Sequence, residues 1–550
     1  MRFAGTMVFA AISTANAAPV PPAAADRPDR LERLYNPGVV SSTSGEPSVR
    51  IRLLHGLKSV KFDSPARLTF ITGEGQTSRS TYRGGLEWTV SARKIKRGTR
   101  RFWVLAERFP EGDGRRASAA RDRWTRLGFA TRIHYAGALY TSKKAVYGQR
   151  IVSVLISPKD TRLAAEREAK RLAGRHRVLG TVISQVLERP SAEIVARCAE
   201  THAEVVAKRL LTVQEFEGGT VEGVRFLGAK WRSHRRQERR FTGLFHFLVG
   251  RDGRLMVVNE VPIETAVDGV VPSESFPKAD LAALQAQAVV ARGHMLTKLG
   301  LRHPGAPYHL CATPHCQAYT GLGRSTPHTR RATRTTEGEV LVHNGALVDT
   351  MYHSTCGGFT EPYLLAGGRR KSPVMSGHAD TKHPIPHVAE KGISHFIEHP
   401  PQSAWCRPTA ERTGLFRWTV QRSGAQLSAL VNSRKNIGPV SQLEIVKRGI
   451  SGRVMSVKYH GEHGVYQVDG DDANRRTLGG LKSGLWIVER TPPISSENPV
   501  EPETWTFRGG GFGHGIGLCQ HGALGMAAAG RDYRSILEHY YRKAKIHRHW

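Results

Sequence analysis

The sequence predicts an α+β protein, in which a β-rich domain with packed helices carries a smaller, inserted α/β unit. Three observations lead there. Short alternating strands recur early in the chain, a strand–helix–strand pattern repeats over the next stretch, and a later hairpin runs into a long helix with small residues on one stripe. At 550 residues the chain exceeds one ordinary core, so two or more domains follow. Its composition, 39% hydrophobic and 23% charged, is globular. No apolar run reaches the roughly 20 residues that a spanning helix needs, so no transmembrane span is expected.

In chain order, Met1 and Arg2 precede an apolar stretch at 3–12, and Ala15-Asn16-Ala17 places small residues where a signal peptidase reads. Residues 1–17 are therefore expected to be a signal peptide, 18–45 a Pro/Ala-rich linker, and the protein exported to the periplasm or cell wall. Residues 46–95 form an N-terminal β segment, with alternation at 48–54, around Val60 and at 68–71. An α/β insert is expected over 96–230. Phe102-Trp103-Val104-Leu105 reads as a strand, 117–127 as a helix stopped by Gly128, and 129–135 as a strand. The pattern repeats with a strand at 151–156 and an amphipathic helix at 160–172. In order and spacing this unit resembles a SPOR-type domain, a family that binds peptide-stripped glycan strands.

The main domain is expected over 231–550. Its opening basic run, Arg232, Arg235, Arg236, Arg239 and Arg240, reads as a solvated linker. The β-rich runs 245–249 and 255–258 flank an Asp252-Gly253 turn and predict a hairpin. Residues 279–299 predict a helix carrying Ala282, Ala283, Ala286, Ala288 and Ala291, with Gln285, Gln287 and Arg292 as its polar members. Residues 533–541 predict an amphipathic helix packed on the core.

A formal net charge of +34 calls for a polyanionic neighbour. The basic residues are spread along the whole chain, and there is no zinc-finger pair, basic zipper or RNP signature, so no nucleic-acid partner is expected. An anionic wall would attract the same charge. Six cysteines are too sparse to staple a chain of this length, though export would allow disulfides.

Chemistry concentrates after Val261. Thiolate and imidazole at short spacing, in His303, His309, Cys311, His315 and Cys316, suit tetrahedral Zn²⁺; a Cys311–Cys316 disulfide is the competing arrangement. Residues 509–520 are too glycine-rich for regular structure and predict a close-packed loop that presents His514 and Gln520. No Gly-Lys-Ser/Thr follows, which excludes a phosphate-cradling nucleotide loop.

In this order, "VPSE…LAALQAQAVVAR", "CATPHCQAYTG", "YHSTCGGFTE" and "GGGFGHGIGLCQHGALGMAAAG" resemble the signature of the SpoIID/LytB family over about 242–546. Its members include the sporulation lytic transglycosylase and proteins named as amidase enhancers. The resemblance implies that Glu274 is the catalytic acid/base and that His303, Cys311 and Cys316 bind zinc. His309 is the alternative to His303, with water or another His in the fourth position. It also implies glycan-binding roles for Gln287, Arg292, Gln317, Tyr319, His353, Ser354, His514 and Gln520. Cys356 would join the metal or pair with another cysteine, and Cys519 stands where the family typically has Ser. The implied activity is cleavage of MurNAc–GlcNAc strands to 1,6-anhydromuramic ends, with peptidoglycan and other wall hydrolases as partners. One carboxylate suffices because the muramic C6 hydroxyl is the nucleophile; hydrolysis would need a second, for which Asp268 and Glu361 are the candidates. Val270, Val271, Pro272 and Phe276 would shelter Glu274. The rival reading is a non-catalytic wall-binding protein that modulates an amidase.

Overall fold

The computed structural model describes residues 30–35, 45–73, 77–141, 146–148, 150–176, 178–216, 223–227, 239–364, 372–386, 388, 392–492 and 503–550. The expected signal peptide and most of the linker and of the basic run lie outside them. The chain divides into two compact units. The first holds Met1–Pro277, Ala291–Leu347 and His547–Trp550; the second holds Lys278–Val290 and Val348–Ile546. Among the described residues no helix is long and apolar enough to cross a membrane.

Two antiparallel-dominated sheets build the first unit. One has seven strands in the order Leu310–Cys311, Ser48–Leu57, Leu255–Pro262, Leu244–Val249, Leu211–Glu215, Leu68–Thr72 and Ser78–Tyr82. The other has six, in the order Glu204–Lys208, Ser191–Cys198, Trp88–Lys96, Ser59–Asp63, Val224–Leu227 and Arg239–Phe241. Phe70 and Phe247 of the first sheet meet Phe62, Trp88 and Phe226 of the second in a buried aromatic layer. Phe62 and Phe247 centroids are 5.3 Å apart, and Phe70 and Trp88 4.3 Å. The predicted hairpin forms, with Val249 opposite Leu255. The N-terminal strand Ser48–Leu57 pairs along Leu255–Pro262, so early and late segments share one sheet.

The α/β unit is narrower than 96–230. Its four strands, in the order Val182–Val186, Arg100–Pro110, Ile151–Lys159 and Thr131–Ala136, are all antiparallel, with helices Gly114–Arg126 and Arg162–Ala173. That is the split βαββαβ topology. It leaves and re-enters between Trp88–Lys96 and Ser191–Cys198, which pair with each other, so the strands from Ser191 onward return to the six-stranded sheet. Trp124, Val104, Val154, Ile156 and Leu172 fill its own small core. The linker expectation also changes in one place. Arg30–Tyr35 is helical and buries Leu31 and Leu34 with Leu210, Leu248 and Met256.

Glu260, near the end of the hairpin, has a pKa of about 2. Burial would raise it, but a hydrogen bond from His246 (2.8 Å) and the charges of His246, Arg50 and Arg33 outweigh burial. A carboxyl depressed on folding contributes stability that is full above its ordinary pKa of 4.5 and is lost as pH falls toward 2. Since the side chain remains 30% exposed, screening reduces the contribution to about 1–2 kcal/mol. Glu260→Gln should flatten the acid limb of a urea-midpoint profile between about pH 4.5 and pH 2; an unchanged slope would contradict this.

The second unit contains a sheet of Arg417–Ser423, Thr504–Gly510 and Trp486–Thr491, and another of Val440–Arg448, Val454–Gly461 and Gly464–Asp469. Trp418, Trp486, Phe507, Tyr459, Val431 and Leu478 are buried together around them. The predicted tail helix spans Tyr533–Tyr540 and buries Ile536, Leu537 and Tyr540.

Candidate active site and metal-ligating cluster

In the first unit, Ile263–Glu274 is helical, with Ile263, Ala266, Val267, Val270 and Val271 buried. The Glu46 carboxylate accepts the Glu264 N–H at 2.7 Å and satisfies one open donor of its first turn. Pro272 has no N–H to continue the ladder, and the helix ends two residues later at Glu274. Glu274 thus sits at a helix C-terminus, not at the N-terminus where a macrodipole would favour a structural carboxylate. It is half-buried, and its Oε1 accepts the Ala318 N–H. Beside it Ser273 bonds the Gly269 carbonyl and the Thr320 hydroxyl, both at 2.6 Å. Val270, Val271 and Pro272 are buried, whereas Phe276 stays 45% exposed.

The Cys/His run converges. Ligand atoms of His303, Cys311, His315 and Cys316 all lie within 4.8 Å of one another. The two sulfurs are 3.4 Å apart, far beyond a covalent S–S bond, and His303 Nε2 is 3.2 Å from the Cys316 Sγ. His315 Nδ1 lies 3.6 and 3.5 Å from the two sulfurs. Bond lengths of about 2.0–2.3 Å around a tetrahedral ion set ligand–ligand edges near ~3.5 Å, so these residues can hold a metal. The contact with Cys316 and hydrogen bonds from His303, Thr313 and His315 hold the Cys311 thiol below its ordinary pKa, while the contact with Cys311 and burial push the Cys316 thiol up. His315, which is exposed, stands fourth in this cluster, the position expected to hold water or another His. His309 is not the alternative to His303: it is buried, and its Nδ1 accepts the Arg50 backbone N–H at 3.2 Å. A cavity of about 730 Å³ lies beside His303, lined among others by Arg52, Arg100, Arg251, Arg302 and Tyr308, but it does not include Glu274.

Three of the predicted glycan-binding residues are structural in this unit. Arg292 is wholly buried and pairs bidentately with Glu264 at 2.8 and 2.6 Å, while its third nitrogen donates to the Glu339 carbonyl. The helix Leu281–Lys298 is almost entirely buried, so a polar residue on it is committed to internal partners. Gln317 donates to the Ala291 carbonyl at 3.3 Å and is buried. Tyr319 is buried and donates to Asn259 at 3.0 Å. Asp268 is half-buried, and burial pushes its carboxyl up.

In the second unit, Tyr352–His353 pairs in parallel with Leu518–Cys519, and bridges join Thr355 to Phe512 and Glu361 to Ile516. The glycine-rich loop is therefore stitched to the segment after Met351. Gly517, at φ +71°, needs glycine: an added Cβ would lie 1.9 Å from the Met351 carbonyl oxygen. His353 is buried; its Nδ1 bonds the Ile516 carbonyl at 3.1 Å, and burial lowers its pKa. Ser354, His514 and Gln520 are partly exposed on this loop pair, with the exposed Phe512. Gln520 donates to the buried Gln287 at 3.2 Å, which positions it from below. A helix, Gln520–Ala528, follows the loop directly. Glu361 is buried and accepts the Ser451 N–H and hydroxyl, so it is a structural carboxylate.

Residues 251–343 match the family described as stage II sporulation protein (SpoIID), and 360–517 match a domain of unknown function, DUF8618. The family match is narrower than the expected 242–546. The chain is 28% identical over 303 residues to a protein of Bacillus subtilis (strain 168) named amidase enhancer, covering 50% of this chain and 39% of that relative. It is 26% identical over 294 residues to an uncharacterized protein of Brachyspira hyodysenteriae, covering 53% and 68%. Stage II sporulation protein D of Bacillus amyloliquefaciens is 22% identical over 303 residues, covering 52% and 75%. The chain thus spans less than half the length of the amidase enhancer. Both Glu274 and the Cys/His cluster fall within the matched segment, so the chain carries a SpoIID-family segment and is distantly similar to proteins named amidase enhancer and stage II sporulation protein D.

Proposed function

We propose that this chain is an exported protein that remodels peptidoglycan, as a lytic transglycosylase with Glu274 as its general acid and base. The observation that carries the reading is the setting of Glu274: a half-buried carboxyl at the end of an apolar helix, oriented by the Ala318 N–H, inside the SpoIID-matched segment. In the reaction Glu274 gives its proton to the glycosidic oxygen as the C1–O4 bond breaks. The muramic O6 then bonds to C1, and its proton passes to the same carboxylate. Atoms balance without water, so one carboxyl serves both transfers. Digestion of purified sacculi should release fragments ending in 1,6-anhydromuramic acid, read by mass spectrometry. Reducing ends, or no release, would overturn the reaction assigned.

His303, Cys311, His315 and Cys316 would hold zinc, whose chemistry here is to tie the segment 303–316 into one turn beside the strand Leu310–Cys311. Cys311→Ser with Cys316→Ser should lower the zinc content by one ion per chain on elemental analysis. A Cys311–Cys316 disulfide in native material would rule the site out.

Ser354, His514 and Gln520 are the glycan-contacting candidates in the second unit, since they keep exposed surface where Gln287 and His353 do not. The βαββαβ unit, with its SPOR-like order, would add glycan binding, and the charge of +34 suits an anionic wall. Export rests on Ala15-Asn16-Ala17 after the apolar stretch; N-terminal sequencing should find cleavage after Ala17, and an intact Met1 end in wall-associated material would refute it. The similarity to a protein named amidase enhancer favours a second reading, in which the chain binds the wall and modulates an amidase without cleaving glycan.

A further inference from the structure

The second unit contains another convergence of metal-ligating side chains, built from residues far apart in sequence. Cys356, Asp380, Cys406 and Cys519 are each wholly buried, and their ligand atoms lie within 4.8 Å of one another. Cys356 Sγ is 3.6 Å from Cys406 Sγ and 3.0 Å from Asp380 Oδ2. We infer that these four residues form a second metal site, a Cys₃Asp tetrahedron for one soft divalent cation of the zinc class.

Four features point to an ion. First, the 3.6 Å between Cys356 Sγ and Cys406 Sγ matches the edge of a tetrahedron around one ion, about 3.5–3.8 Å for zinc-length bonds; the 3.0 Å from Cys356 Sγ to Asp380 Oδ2 is a thiol hydrogen bond that would lengthen to such an edge on metal binding, and the 4.8 Å limit is too short for sulfurs spread around an iron–sulfur cluster. Second, backbone donors aim at the sulfurs. Cys356 N–H and Gly522 N–H point to Cys519 Sγ at 3.2 and 3.3 Å, and Gly358 N–H points to Cys356 Sγ at 3.3 Å. Such donors serve sulfur as an acceptor, the state of a metal-bound thiolate. Third, Asp380 is oriented as a ligand would be. Its Oδ1 accepts from Tyr540 OH at 2.8 Å and His539 Nε2 at 3.1 Å, which leaves Oδ2 toward the sulfurs. Gly522 makes room for this: a Cβ there would lie 2.6 Å from Asp380 Oδ2 and 2.0 Å from Tyr540 OH. Fourth, three thiolates and a carboxylate around a dication leave two negative charges. Two guanidiniums bracket the Cys356 segment, Arg453 donating to the Cys356 carbonyl at 2.8 Å and Arg417 to the Gly357 carbonyl at 2.9 Å.

A Cys356–Cys406 disulfide is the rival. It would use two of three converging sulfurs and leave Cys519 and a buried carboxylate without a shared partner. Metal binding instead uses all four, releasing one proton from each thiol to solvent. The ion would pin the glycine-rich loop, through Cys519, to the segment that carries His353 and Ser354.

The test uses the full chain with the first cluster disabled. Cys311→Ser/Cys316→Ser protein, purified anaerobically without added metal, should retain one zinc per chain, and cobalt(II) in its place should show thiolate-to-metal charge-transfer absorption. Loss of all metal from a folded double variant overturns the site, whatever the sacculus digestion shows. If that variant does not fold, alkylation of the native wild type decides. Cys356, Cys406 and Cys519 should become reactive only after a chelator is added. Equal labelling with and without chelator, or a Cys356–Cys406 disulfide, overturns the inference.

Discussion

Glu274→Gln is expected to lower glycan cleavage by on the order of 10²-fold or more while leaving fold and wall binding intact, because the amide cannot shuttle a proton. Structurally the exchange is mild. The Gln carbonyl oxygen can still accept the Ala318 N–H, and the side chain lies at a helix end, outside the apolar core. The measurement is the rate of anhydromuramic-end release from sacculi, with circular dichroism and sacculus pull-down as controls. Cleavage at the wild-type rate would sink the catalytic role and leave the amidase-modulating reading as the better account. Reducing ends from the wild type would call for a second carboxylate. Neither candidate is well placed to supply it: Glu361 is buried on Ser451, and Asp268 is half-buried six residues back on Glu274's own helix.

Local patterns in the sequence translated well into structure. Alternating residues around an Asp-Gly turn gave the hairpin at 244–262, and helical spacing ended by Gly128 gave Gly114–Arg126. Strand partners were less legible. Nothing in residues 191–227 announces that they return to strands 88–96 and 59–63, because pairing is set by the other strand's face as much as by their own pattern. The Cys/His cluster was readable since its donors are close in sequence, although the choice among histidines was not. His309 is buried and drawn to Arg50, whereas His315 is exposed and turned to Cys311. Cys356, Asp380, Cys406 and Cys519 span over 160 residues, and only the tertiary fold brings them together. Arg292, Gln317 and Tyr319 show the opposite limit. A polar residue in a motif can serve packing, and burial distinguishes the cases.

Arg292 provides the second large effect. Its guanidinium is wholly buried and answers the Glu264 carboxylate with two hydrogen bonds, while Glu264 Oε1 also accepts from the Gly338 N–H at 3.0 Å and Trp550 Nε1 at 3.1 Å. Arg292→Met removes the cation and leaves the carboxylate with neutral donors only. Removing one partner of a buried pair typically costs about 3–5 kcal/mol, since the remaining charge stays desolvated. Urea unfolding should show that loss. Glu264→Gln on the same background should recover part of it, because the orphaned charge is then gone and the amide can still accept from Gly338 and Trp550. A glycan-binding role predicts another pattern: unchanged stability, a raised KM for sacculi, and no rescue by Glu264→Gln. The bidentate geometry and full burial favour the first outcome, and the coupling between the two substitutions measures the pair directly.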